Sequence, residues 1–180
     1  MEAKPDVWFR KDYKVLVDQA REATAKMIDC NPANLVLLEN ASAAVNGIFR
    51  SLDLKQGDIF VYFSTAYGMV KHTAAWLSVD RGIKILEIPI MVPISTDEES
   101  FIAPLRNALN NLSVEERGRI KIATFSHISS VPAFIEPIKE LADVVKAANP
   151  SALVLVDGAH ALGQIPIEIA ALGDIDYYLR

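Results

Sequence analysis

The run Ser151-Ala152-Leu153-Val154-Leu155-Val156-Asp157-Gly158-Ala159-His160 decides the fold class. Its apolar centre is continuous instead of alternating, which suits a strand covered on both faces, as in a mainly parallel sheet. It stops on a carboxylate and a turn-forming glycine. Working outward, blocks of the same kind predict strands at 35–39, 58–63, 83–90, 120–125 and 175–179, beside 153–157 itself. Between them the apolar residues return at helical spacing. Val45, Ile48, Phe49 and Leu52 fall at i, i+3, i+4 and i+7, one face of a helix. Met69, Val70, Thr73 and Leu77 repeat that stripe, as do Phe101, Leu105, Ala108 and Leu112, and then Ile138, Leu141, Val144, Val145 and Ala148. Leu16, Ala20, Ala23 and Met27 mark a leading helix. Strand and helix alternate from about residue 35 onward, the signature of a three-layer α/β/α domain. The chain therefore reads as one α/β domain, with a leading helical segment at 1–34 and an alternating core at 35–180. The stretches 95–100 and 110–119 read as loops. Trp8 and Phe9, beside Arg10, read as an anchor packing the leading segment onto the body.

Composition narrows the function classes. Of 180 residues, 51% are hydrophobic, and the formal net charge is −5. That balance argues against nucleic acid or an anionic membrane surface as the main partner, since both reward clustered Lys and Arg. Mean hydropathy is positive, at +0.21, yet the longest uncharged run, 122–135, is too short to span a bilayer. The start, Met1-Glu2-Ala3-Lys4-Pro5-Asp6, is charged and polar, unlike a signal peptide, so a cytoplasmic location is expected. The lone Cys30 excludes an internal disulfide framework and a cysteine-based zinc cage.

In open α/β sheets, ligands sit outside the carboxyl ends of the strands. The residues predicted there are Asn40-Ala41-Ser42-Ala43-Ala44, Ser64-Thr65-Ala66-Tyr67-Gly68, Ser126-His127-Ile128-Ser129-Ser130 and Asp157-Gly158-Ala159-His160. Asn40 before small residues is a helix N-cap whose first-turn amides could receive a phosphate, or simply an ordinary capped helix. Asp157, at the end of a buried strand, needs a cation, a metal or several hydrogen bonds; it could also only cap the following turn. His160 follows Asp157 by three, and with His127 the pair could hold a metal, although no usual zinc motif is present. A Ser126–His127–Asp157 hydrolase triad is disfavoured, because neighbouring Ser and His do not bring Oγ to the imidazole and no G-x-S-x-G elbow occurs. No G-x-G-x-x-G follows any predicted strand, so a dinucleotide site is not indicated. Tyr67 could stack on a flat ligand or cover the core edge.

As an ordered set, several stretches resemble the class V aminotransferase family of fold-type I pyridoxal-phosphate enzymes. They are Pro5-Asp6-Val7-Trp8-Phe9-Arg10, Glu39-Asn40-Ala41-Ser42-Ala43-Ala44-Val45-Asn46, Tyr67-Gly68-Met69-Val70-Lys71, Ser126-His127-Ile128-Ser129-Ser130-Val131-Pro132 and the segment from Val156 to Gln164. The branch most resembled is that of isopenicillin N epimerase-like and cysteine desulfhydrase-like proteins. The resemblance implies pyridoxal 5′-phosphate as cofactor, with Asp157 on its pyridine nitrogen and Ala41, Ser42 and Ala43 at its phosphate. It implies Tyr67 stacked on the ring, His160 near the ring hydroxyl, and His127 and Ser129 in the segment beside cofactor and substrate. The family usually has Thr where this chain has Ser42.

One departure stands out. The family's Schiff-base lysine follows the Asp-bearing strand by one further strand and a turn, whereas the ten lysines here end at Lys146, before Asp157. Neither Lys71 nor Lys121 matches that motif. The expectation is a truncated major domain without the C-terminal small domain. The resemblance implies a parent enzyme of amino-acid metabolism, with cysteine desulfhydrase or lyase chemistry, a small amino-acid substrate and a homodimeric assembly. This chain is expected to lack normal turnover. The alternatives are a non-catalytic domain acting in subunit association, and a metal-dependent hydrolase using His127, Asp157 and His160.

Overall fold

The computed structural model describes residues 3–91 and 97–180. Five strands form one parallel sheet: β1 (Ile59–Phe63), β2 (Lys84–Ile88), β3 (Ile120–Ser126), β4 (Leu153–Asp157) and β5 (Tyr177–Leu179). Their order across the sheet is β2-β1-β3-β4-β5. The register sets Ser126 against Asp157 and Asp157 against Leu179, so β3, β4 and β5 run out at one edge. The helices that cross between strands are α4 (Gly68–Arg81), α5 (Glu99–Asn110), the short α6 (Val114–Gly118) and α7 (Ile138–Ala148), with α3 (Ala41–Ser51) leading into β1. The three-layer α/β architecture read from the sequence is the one observed.

Each face of the sheet carries its own core. Val61, Phe63, Ala123, Phe125, Val154 and Val156 pack beneath α5 and α7 with Leu105, Leu109, Leu141 and Val145. On the other face Phe60, Tyr62, Ile122 and Leu155 meet Val45 and Phe49 of α3 and Val70, Ala74 and Leu77 of α4. This two-sided burial is why the strand sequences lack polar alternation. Phe49 and Phe60 meet edge to face at 4.6 Å and 80°, a favoured aromatic geometry. Gly82 closes α4 in the left-handed conformation (φ 68°), which glycine adopts without a Cβ penalty.

Four expectations change. Residues 35–39 form no strand: the backbone is extended at Leu35, but Val36, Leu37 and Leu38 are exposed. No described strand pairs with them, and apolar side chains cannot make a strand without a hydrogen-bonding neighbour. The 110–119 stretch is not all loop, because Ser113 and Glu116 form a reciprocal capping box that starts α6. Of the 95–100 stretch, residues 95 and 96 lie outside the described residues, and α5 already begins at Glu99.

The leading segment is helical as expected, with α1 (Pro5–Val7), a π-helical turn (Trp8–Asp12) and α2 (Tyr13–Met27). It does not anchor through Trp8 and Phe9, which pack on each other and on Tyr13. Phe9, Leu16 and Met27 remain exposed, and Ala25 is the one residue of α2 that is fully buried. A stripe at helical spacing thus fixes the helix without fixing what covers it.

Candidate functional site

The parallel sheet brings the ends of β1, β3 and β4 to one rim, where the buried polar residues gather. Thr65, Thr124, Ser126, His127, Ser129, Glu136 and Asp157 are all buried. Alternation along β3 puts Thr124 and Ser126 on the same side as Ile122, the α3/α4 side, and Asp157 shares that side with Leu155.

Asp157 is 7% exposed. Its Oδ1 accepts a hydrogen bond from the Ala159 amide at 3.1 Å, an Asx turn at the strand end. No described Lys, Arg or His forms an ion pair with it. Burial holds its carboxyl above the usual carboxylate range, opposed by the Ala159 amide and by His160. The turn-capping reading of Asp157 thus holds for one oxygen, and the other has no hydrogen-bond partner among the described residues.

His127 continues β3, its amide donating to the Asp157 carbonyl at 2.8 Å. Its Nδ1 lies 2.9 Å from the Tyr178 hydroxyl, with the two rings edge to face at 5.8 Å. Burial lowers the imidazole pKa, so the ring is neutral at pH 7. Tyr178 is pushed up to about 12, by burial first and by the Asp157 charge second. Gly158 makes this arrangement possible, because a Cβ there would run into the Tyr178 hydroxyl and ring. Tyr178 was not singled out in the sequence, although it lies in the sixth apolar block, which the register sets against the end of β4.

Ser129 is committed to its own loop. Its hydroxyl donates to the Pro132 carbonyl at 2.6 Å and accepts from the Phe134 amide at 3.2 Å. That loop folds back through an Ile128–Ile135 bridge and returns Glu136 to the strand end, where its Oε2 accepts the Ser126 amide at 3.1 Å. Sequence reasoning passed over Glu136, yet a lone carboxylate within Phe134-Ile135-Glu136-Pro137-Ile138 was a visible signal of a buried charge.

At α3, Asn40 is the N-cap, its side chain accepting the Ala43 amide at 2.8 Å. Ala43 is therefore spoken for, whereas the Ala41 and Ser42 amides have no partner among the described residues. Tyr67 is half exposed and lies at the mouth of a cleft of about 570 Å³ between α3 and α4, lined also by Asn46, Arg50, Met69, His72 and Trp76. Asp157 does not line that cleft, which shares only Tyr67 with the residues read from the sequence. His160 is exposed on the turn after β4. Among the described residues no group of three His, Cys, Asp or Glu side chains could hold a metal ion, so His127, Asp157 and His160 do not form the ligand set that the hydrolase alternative needs. No helix among them is long and apolar enough to cross a membrane.

A five-stranded parallel sheet with helices on both faces, and with buried polar side chains gathered at the carboxyl rim of its central strands, defines the class as an α/β domain. The aminotransferase class-V model matches residues 8–179, and the chain belongs to that family. A putative L-cysteine desulfhydrase 2 of Oryza sativa subsp. japonica is 26% identical over 184 residues, covering 98% of this chain and 38% of the rice protein. The L-cysteine desulfhydrase of Arabidopsis thaliana is 25% identical over 189 residues, covering 98% of this chain and 40% of its own length. The chain thus spans about two-fifths of these curated relatives. Among solved structures, the cystine C-S lyase C-DES with its product cysteine persulfide superposes with a TM-score of 0.80 at 21% identity, over 92% of this chain and 42% of that one. A lysine-to-alanine variant of C-DES, with glycine linked covalently to its pyridoxal-phosphate cofactor, gives 0.79 at 22% identity over 92% and 41%. Both likenesses bear on the fold.

Proposed function

We propose that residues 1–180 form the cofactor cradle of a pyridoxal-phosphate enzyme whose complete form cleaves a carbon–sulfur bond in cysteine or a related amino acid. The observation that carries this reading is Asp157: a buried carboxylate with no cationic partner, placed where a protonated ring nitrogen would complete it. The residues present fit the group. Ala41 and Ser42 offer two unpartnered amides and a hydroxyl at the positive end of α3, suited to a phosphate. Tyr67 offers an exposed ring face, and His160 stands on the turn next to Asp157, within reach of a ring substituent. His127, its ring held by Tyr178, fixes the strand end through its amide bond to the Asp157 carbonyl.

When bound, pyridoxal phosphate supplies an electron sink for a carbanion at the substrate α-carbon. The chain's own part is to hold the ring nitrogen in its charged form through Asp157, since an ionised carboxylate beside it favours the protonated state. The cysteine-directed chemistry is inferred from the named activities of the relatives, and a homodimer from the family's usual assembly. None of the ten lysines follows Lys146. Lys71 is engaged by the Ser64 carbonyl at 2.7 Å and by Glu87 at 2.9 Å, so turnover by residues 1–180 alone is not expected. That C-DES variant, lacking a lysine, still carries its cofactor, which supports measuring binding separately from catalysis.

The test is titration of the chain with pyridoxal phosphate, followed by quenching of protein fluorescence and by equilibrium dialysis. Saturable binding near one per chain is expected, weaker for pyridoxal without its phosphate. Asp157→Asn should lower affinity by roughly tenfold or more, the range of a charge-assisted hydrogen bond. Equal binding by wild type and Asp157→Asn would remove the basis of the reading.

A further inference from the structure

The rim of the sheet holds a second buried carboxyl that the cofactor reading does not use. Glu136 is 2% exposed. No described Lys, Arg or His pairs with it, and its one well-formed hydrogen bond is from the Ser126 amide to Oε2. Its other oxygen, Oε1, is buried without a hydrogen-bond partner, and so is the Thr65 hydroxyl. These two atoms belong to residues that interact directly, yet as a carboxylate and a free hydroxyl they do not meet in good hydrogen-bonding geometry. A buried carboxylate oxygen with no donor is costly, and an ionised carboxyl with no cation beside it is more so. A proton on Glu136 removes that charge.

We propose that Glu136 is a positioning residue that carries a proton in the resting protein, so that the rim presents one buried negative charge, that of Asp157, instead of two. The surroundings agree. Burial pushes the Glu136 carboxyl up to about 8, with the Asp157 charge adding to the rise and the Ser126 amide and Thr65 opposing it. The other titratable groups around the rim bring no cation to it. His127, whose carbonyl accepts the Glu136 amide, has a neutral ring bound to Tyr178, and the Lys71 ammonium is held by Ser64 and Glu87. Its Oε2 holds the end of β3 through the Ser126 amide, and Ser126 is the register partner of Asp157. Glu136 thereby fixes the strand end that carries the ligand-binding carboxylate without touching the ligand. The link to a cationic ring rests on the pyridoxal-phosphate reading; the proton itself does not, and it is measured without any ligand.

The experiment is infrared spectroscopy of the ligand-free chain at pH 7 in deuterated buffer, in the region of the carboxylic-acid C=O stretch. Wild type should show one such band, retained in Asp157→Asn and lost in Glu136→Gln. Near-UV circular dichroism of each variant confirms the native fold. Absence of the band in wild type, its survival in Glu136→Gln, or its loss in Asp157→Asn would each overturn the proposal. Failure of the chain to bind pyridoxal phosphate would leave these outcomes unchanged, so the two ideas fail separately.

Discussion

Replacing Glu136 by Gln should make the protein more stable as the pH rises, a gain whose size follows from the site. The folded pKa of Glu136 is raised from 4.5 to about 8, chiefly by burial. A group raised in the folded state contributes stability that is fully present below its unfolded pKa and lost as pH rises through its folded value. Between pH 4.5 and about 8 the wild type therefore loses stability that a glutamine retains, because Gln keeps the acceptor for Ser126 without a proton to lose. At about 1.4 kcal/mol per pH unit, the full interval corresponds to roughly 5 kcal/mol, reduced in practice by water entering the site once it charges. The assay is urea unfolding of both proteins at closely spaced pH values from 4.5 to 9, comparing them at each pH so that the other titrating groups cancel. The difference should be near zero at pH 4.5, climb through neutrality and level off above about pH 8. A difference that stays flat across this range would refute the argument that Glu136 is protonated when buried.

Two further expectations concern packing. Gly158→Ala should destabilise the fold by roughly 2–4 kcal/mol and disturb the His127–Tyr178 contact, since its new Cβ meets the tyrosine; combining it with Tyr178→Ala should recover part of that loss in a double-mutant cycle of urea unfolding. Phe49→Ala, at a fully buried site in edge contact with Phe60, should cost about 3–5 kcal/mol, whereas Leu38→Asp in the exposed 36–38 run should change stability by less than about 0.5 kcal/mol.

The fold was legible in the sequence where side-chain pattern and environment coincide. The runs 59–63, 120–126 and 153–157 are apolar because helices cover both faces, and α3, α4, α5 and α7 carry their stripes toward those same faces. The pattern misled where it spoke for a partner that the described residues do not provide, as in Val36-Leu37-Leu38, or for a packing surface, as in Trp8 and Phe9. It was also under-read, since Ser113-Val114-Glu115-Glu116 spells a capping box. At the site, Asp157 and the Asn40-capped helix stood out because strand ends and caps are local features. The Tyr178 contact with His127 depends on a distance between segments far apart in sequence, and the pairing of Glu136 with the end of β3 on how the loop between them folds back. Residue spacing does not encode them.

The account turns on Asp157 meeting a ring nitrogen. Isothermal titration of the chain with pyridoxal phosphate and with its 1-deaza analogue, which keeps the phosphate and aldehyde but has carbon in place of that nitrogen, tests this directly. The account predicts that wild type prefers pyridoxal phosphate by roughly tenfold or more and that Asp157→Asn loses most of that preference. Equal affinity of wild type for the two ligands would contradict it.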